Sequence, residues 1–174
     1  LMSLSLSAAY DRVGTNYLSL ANPQTVPDSE RLELAAGTSY GDLYLDWAYL
    51  NERDNVSGFT GLETNKFNQY SLSGTYQNAD AEGLSGLLWS FTVSADEADQ
   101  DDLPTGFNSA FLIDTNGLYL EGGVSGKLDK LTWALTHSNY DFDDEIFAAN
   151  AYTERGTGLT LSGGLAQNLN LSAG

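Results

Sequence analysis

The most constraining feature of this chain is an alternation with a period of two residues. Residues 2–10 read "MSLSLSAAY", with Met2, Leu4, Leu6, Ala8 and Tyr10 on one parity and Ser3, Ser5, Ser7 and Ala9 on the other. Successive side chains of a strand point to opposite faces, so this pattern predicts a strand with one apolar and one small polar face. The same design recurs along the chain. In "LYLDWAYLNERDN" (43–55), Leu43, Leu45, Trp47 and Tyr49 share a parity and the apolar run then stops in charge. "GLLWSFTVSADEADQDD" (86–102) and "KLTWALTHSNYDFDDE" (130–145) also carry Leu-x-Trp, a few alternating residues and an acidic end. No segment keeps an i, i+3, i+4, i+7 apolar stripe for three turns, so helices are not expected.

The alternation predicts nine strands, at about 2–10, 31–40, 43–51, 67–77, 84–95, 116–126, 130–138, 155–165 and from about 169 onward. Short connections (41–42, 78–83, 126–129, 166–168) take turns with long ones (11–30, 52–66, 96–115, 139–154), which is the pattern of an antiparallel up-and-down meander. A break in the alternation at "FLIDTNG" (111–117) predicts a turn or bulge before the sixth strand. Little beyond Leu-x-Trp repeats, so the regular hairpin spacing follows from meander geometry, not duplication.

Composition narrows the functional classes. The 174 residues fit one domain, and 41% hydrophobic content is too high for a disordered chain. With 24 acids, seven bases and a net charge of −17, nucleic-acid binding through a basic patch is not expected. There is no cysteine, which removes disulfides, thiolate metal sites and Cys nucleophiles. There is no run of 18 apolar residues for a transmembrane helix, and "LMSLSLSAAY" lacks the basic and continuous apolar regions of a signal peptide. Both ends fall inside alternating runs, as expected of part of a longer or trimmed protein.

The question is which solvent faces which side. A soluble sandwich covers its outer face with long charged side chains. Here that face is Ser, Thr, Gly and Ala, and all seven bases (Arg12, Arg31, Arg53, Lys66, Lys127, Lys130, Arg155) fall in loops, turns or strand ends. A transmembrane β-barrel accounts for this: the apolar parity meets lipid and the polar parity lines a wet lumen. Tyr40 and Tyr76 sit beside short turns and Tyr10, Tyr49 and Tyr140 beside long loops, as two interfacial belts, while Trp47, Trp89 and Trp133 lie on the lipid parity. A soluble β-sandwich or β-roll domain of an adhesin is the competing architecture.

The alternating strands, aromatic girdles, short turns and long acidic loops resemble Gram-negative outer-membrane β-barrels of the porin-like kind. The resemblance covers the whole chain and is architectural. It implies the bacterial outer membrane, periplasmic short turns, outer long loops, and contact with the bilayer and lipopolysaccharide. The chain departs from it in ending at Gly174 instead of an aromatic residue, and in an odd strand count. The small lumen face is too small to fill an eight-stranded barrel, so the chain is expected to form part of a wider barrel, or one that holds a protein plug, a partner chain or further copies.

Candidate site residues follow from parity. Glu33, Asp46 and Glu121 are the lumen-parity charges and would favour cations in a pore. Asp96, Glu97, Asp99, Asp101 and Asp102, with Asp141, Asp143, Asp144 and Glu145, form acidic loop runs that could hold Ca²⁺ or Mg²⁺ loosely; no calcium-loop signature fits. His137 shares the lipid parity of Leu131, Trp133 and Leu135, and no nucleophile elbow or phosphate loop is present, so no enzyme activity and no tightly bound cofactor is expected. The functional expectation is a passive channel for small polar or cationic solutes, with a scaffold or export barrel enclosing a protein or polymer as the alternative.

Overall fold

A computed structural model describes residues 2–14, 28–80, 86–108, 112–128 and 131–163, and, for strand placement and pairing alone, 166–173. The strands are β1 (Met2–Val13), β2 (Ser29–Tyr40), β3 (Leu43–Arg53), β4 (Thr64–Gln77), β5 (Leu88–Asp101), β6 (Asp114–Leu128), β7 (Leu131–Asp144), β8 (Tyr152–Gly163) and β9 (Ala166–Ala173). They form one antiparallel sheet in the order β1-β2-β3-β4-β5-β6-β7-β8-β9. No pairing joins β1 to β9, so the sheet is open, and a meander of nine strands leaves these two edges running in the same direction. A single-turn 3-10 segment, Ala148–Asn150, is the only helical element among the described residues.

Each hairpin is dictated locally. Between Tyr40 and Leu43 the chain reverses in two residues, and Gly41 takes φ +60, which only glycine adopts cheaply at the first central position of such a turn. The alternation is carried across every ladder: Leu6 lies opposite Ala36, Ala36 opposite Trp47, Trp47 opposite Leu72 and Leu72 opposite Val93. Register therefore sorts all even-parity residues of β1 and their partners onto one apolar face and Ser3, Ser5, Ser7 and their partners onto the other. Tyr49 stacks on Tyr70 across a ladder with ring centroids 4.9 Å apart. Gly74 gives room for Phe91 and Leu45, whose side chains stand 2.5 and 2.7 Å from where its Cβ would be.

There is no hydrophobic core. None of the described apolar residues is buried; Leu4, Leu6 and Leu72 are 64, 74 and 41% exposed. No second layer covers either face, and every substantial contact joins strands adjacent in sequence. The two-layer sandwich is not the arrangement found.

Register and polarity together reveal an inclination. Leu43 begins β3 at its short turn, and its row runs Leu43–Tyr76–Trp89–Val124–Leu135. On β7, however, the short turn is reached at Leu131, four residues beyond that row. At the other end, Asn51 follows the last aromatic of the apolar face of β3, and its row reaches Asp143 on β7. The corresponding asparagine of β7 is Asn139, again four residues nearer the turn. The outward stripes have equal length (Leu43, Leu45, Trp47, Tyr49, then Asn51; Leu131, Trp133, Leu135, His137, then Asn139) and are displaced by four residues over four strands. With about 3.3 Å per residue and about 4.8 Å between strands, one residue per strand is a tilt of about 35°.

The strands are longer than their sequence patterning predicts, mostly at the end opposite the short turns. Asp96, Glu97, Asp99 and Asp101 lie in β5, and Asp141, Asp143 and Asp144 in β7; only Asp102 and Glu145 remain in connections. The expected acidic loops are thus strand ends, because each Asp finds a paired neighbour: Asp99 faces Lys66 on one side and Asp114 on the other. Poor intrinsic β-propensity, spanning only about 1 kcal/mol, yields to ladder hydrogen bonds. The bulge expected at 111–117 is not seen from Asp114 onward, where pairing with β5 is continuous; 111 lies outside the described residues. A register shift occurs instead at Leu161/Gly163. Of the sequence-based expectations, Lys130, most of the 11–30 connection and half of the 78–83 connection also fall outside the described residues.

Candidate functional site

A cavity opens on the polar face. Gln69, Ser94, Asp96, Tyr119, Ser138, Tyr140 and Glu154, from five successive strands β4 to β8, line one cavity of about 500 Å³. On β1–β8 this face carries eight acids (Asp11, Glu33, Asp46, Glu52, Asp96, Glu121, Asp144, Glu154) and two bases (Arg31, Lys127). Arg31 is bound on both sides, at 2.5 Å to Glu33 and 2.9 Å to Glu52. Around Asp46 the wall from β1 to β4 is small, built of Ser5, Ser7, Ala35, Gly37, Ala48, Ser71 and Ser73, while Tyr44, Leu50 and Phe67 stand on the same face toward the strand ends.

Glycine seats the carboxylates. A Cβ on Gly37 would lie 2.7 Å from Asp46 Oδ1 and 2.8 Å from Ser5 Oγ, so both side chains lean over the bare backbone. Gly117 does the same for Asp96 (2.6 Å to Oδ1) and Tyr140 (2.8 Å to Oη). Tyr119 donates to Glu121 Oε2 at 2.6 Å from two residues away on the same face.

The three acids expected to line a lumen are all on this face. Glu33 shares the row Glu33–Leu50–Gln69–Asp96–Gly117, and Glu121 lies four residues nearer the short turns than Gly117. The inclination of one residue per strand cancels that offset over the four strands from β2 to β6, so Glu33 and Glu121 stand at one level. Asp46 shares the row of Ser73, Thr92 and Glu121 and lies three residues deeper by the same correction. Asp96 and Glu154 were not anticipated here, since both were assigned to loops. Their signal was available: parity carries Ser90, Thr92 and Ser94 on to Asp96, and Gly158 and Gly156 back to Glu154.

Register assigns a face to each aromatic residue expected in the belts. Tyr10, Tyr40, Trp47, Tyr49, Tyr76, Trp89 and Trp133 lie on the apolar face, with Tyr76 directly opposite Trp89. Tyr140 does not: it pairs with Tyr119 and Glu154 on the polar face and makes an edge contact with Tyr152 at 5.9 Å. The loop assumed after residue 138 hid the fact that β7 continues, so parity was not carried forward. His137 is on the apolar face, its Nδ1 2.9 Å from Thr157 Oγ1.

Several of the acids considered for divalent cations are already bonded. Thr153 and Asn139 donate to Asp141, both at distances under 3 Å, and hold its carboxyl below the usual carboxylate range. Asp144 accepts the backbone N–H groups of Phe147 (2.7 Å) and Ile146 (3.0 Å) and the amide of Asn150 (2.7 Å); the Phe147 bond is the main reason its carboxyl is also lowered. Lys66 is raised, chiefly by its contact with Asp101, and Asp99 lies 3.5 Å away. Among the described residues no group of three His, Cys, Asp or Glu is placed to hold a metal.

Comparison with known proteins returns no match: no family model, no curated protein and no solved structure is similar to this chain.

Proposed function

We propose that this chain builds a β-barrel of a bacterial outer membrane and forms a passive channel for small polar or cationic solutes. The observation that supports this reading is the equal apolar stripe of β3 and β7, displaced by four residues of register across four strands, an average of one residue per strand. A lipid slab crossed by tilted strands requires that pattern, because each strand must leave the slab one step earlier in register than its neighbour. The tilt of about 35° lies in the range of such barrels. On β1, the five positions from Met2 to Tyr10 extend about 26 Å along the strand and about 21 Å along the membrane normal, near the roughly 25 Å apolar band of these proteins. In lipid, every backbone group must be paired, so closure needs a partner strand along the β1 edge, where Met2–Tyr10 carries no charge and no proline.

The polar face then becomes the lumen. Its eight acids against two bases would draw cations, with Asp46 deepest and Glu33 and Glu121 at one level above it. Incorporation into planar bilayers under a salt gradient tests this. Ohmic, cation-selective steps are expected. A monovalent cation passing about 4 Å from a carboxylate in water gains about 1 kcal/mol, so Asp46→Asn or Glu121→Gln should lower the cation-to-anion permeability ratio about fivefold. A silent bilayer with correctly inserted protein would refute the channel. It would favour the scaffold reading, to which the small Ser, Ala and Gly wall of β1–β4 is also suited.

A further inference from the structure

Among the described residues the only buried side chains are polar, and all three, Asp28, Asn55 and Thr64, lie together at the end opposite the short turns. The three non-glycine residues with left-handed φ are Asp28, Asn55 and Asp102, in the same place. Order and backbone strain are concentrated here, where a plain connection between strands needs neither.

Their hydrogen bonds knit the β3–β4 and β5–β6 connections into one body. Asn55 Nδ2 donates to the carbonyls of Phe59 and Leu62, and Asn55 Oδ1 accepts from Phe59 N at 2.8 Å. Thr64 Oγ1 donates to Asp102 at 3.1 Å, and Asp28 accepts from the amide and hydroxyl of Ser57. A second chain runs from Asn65 through Gln100 to the amide of Ile113. This platform holds four large apolar side chains out in solvent: Phe59, Leu62, Leu103 and Ile113, each between 42 and 55% exposed. Acids adjoin three of them along the chain, Glu63 after Leu62, Asp102 before Leu103 and Asp114 after Ile113, and the nearby bases are already taken, Lys66 by Asp99 and Asp101 and Arg53 by Glu30.

We infer that this platform is a docking surface for a cationic amphipathic polypeptide segment. The rigid apolar residues supply anchors that lose little freedom on binding, and the uncompensated carboxylates around them select a partner of opposite charge. The inference does not depend on the lumen conducting.

The test uses the full chain in nanodiscs and a labelled 18-residue amphipathic Lys/Leu helix, with a scrambled isomer of the same composition as control. Fluorescence anisotropy should show saturable binding that weakens with salt, and the scrambled peptide should bind at least about tenfold more weakly. Phe59→Ser with Leu103→Ser should reduce affinity about tenfold or more while the heat-modifiable gel mobility of a folded barrel is retained. Asn55→Ala, which touches neither apolar side chain, should weaken binding as well by freeing the platform. Equal binding of the two peptides, indifference to the Phe59/Leu103 variant, or equal uptake by empty nanodiscs would each overturn the proposal; the last would assign the surface to lipid.

Discussion

Leu43–Tyr49 and Asp54–Thr64 are neighbours in the chain and are held in opposite ways. The first stretch has a regular ladder on both sides, no buried side chain and an apolar face fully open to its surroundings. Its backbone is satisfied by neighbouring strands, and its side chains meet only those of adjacent strands, as Tyr49 meets Tyr70, with no layer of the described chain above them. The second has few ladder bonds and instead encloses Asn55 and Thr64 in side-chain hydrogen bonds of its own. A region that relies on its solvent for apolar contact tolerates polar substitution worst. A region that relies on internal hydrogen bonds tolerates loss of a donor worst.

That contrast can be broken in order of expected effect. Leu72→Arg, at the middle of the apolar face, should cost about 2–4 kcal/mol of folding into lipid vesicles, while Ser73→Arg beside it on the polar face should cost far less. Equal losses in urea-dilution refolding would undo the assignment of the faces. Gly117→Val places new atoms where Asp96 and Tyr140 already lie, and overpacking of this kind costs about 1–3 kcal/mol; a stability unchanged by denaturant titration would show that the two side chains do not lean over the glycine in solution. Asn55→Ala leaves the carbonyls of Phe59 and Leu62 without their donor, a loss of about 1–3 kcal/mol confined to the outer end. Proteolysis should then cut within 54–63 while the strands stay protected, and cleavage spread over the whole chain would mean that the two regions are coupled.

The smallest effect concerns acid. Asp144 and Asp141 are held below the usual carboxylate range by donors from the β7–β8 turn and from β7 and β8. A carboxyl lowered in the folded state contributes stability that is present above its unfolded pKa and lost as pH falls through its folded value. The turn around Ile146–Asn150 should therefore loosen below about pH 4. Hydrogen exchange of Ile146 and Phe147 as a function of pH measures this, and Asp144→Asn should leave both amides exchanging freely with the acid transition gone. A transition that persists in the variant would place its origin elsewhere.

The strand count, the meander and the division into two faces were legible because period-two alternation is a local property, written in each stretch such as Met2–Tyr10 without reference to any other. The placement of Glu33, Asp46 and Glu121 on the polar face was legible for the same reason. Strand ends were not: Asp96–Asp101 and Asn139–Asp144 have polar compositions typical of loops, and only the presence of Lys66, Asp114 and Tyr152 alongside makes them strands. The misplacement of Tyr140 followed directly, since parity cannot be carried through a segment taken to be irregular.

By itself, then, the order of residues determined which side chains share a face, because Cβ direction alternates along any extended chain. Which residues share a level was decided only by pairing between strands. Glu33 and Glu121 stand 88 positions apart in sequence and come to one height because the apolar stripe is displaced against the register by an average of one residue per strand, and the clasp of Asn55, Thr64 and Asp102 exists only where two connections meet. Alternation is set by bonds within the chain, whereas tilt, level and clasp are set by hydrogen bonds between segments that no local pattern records.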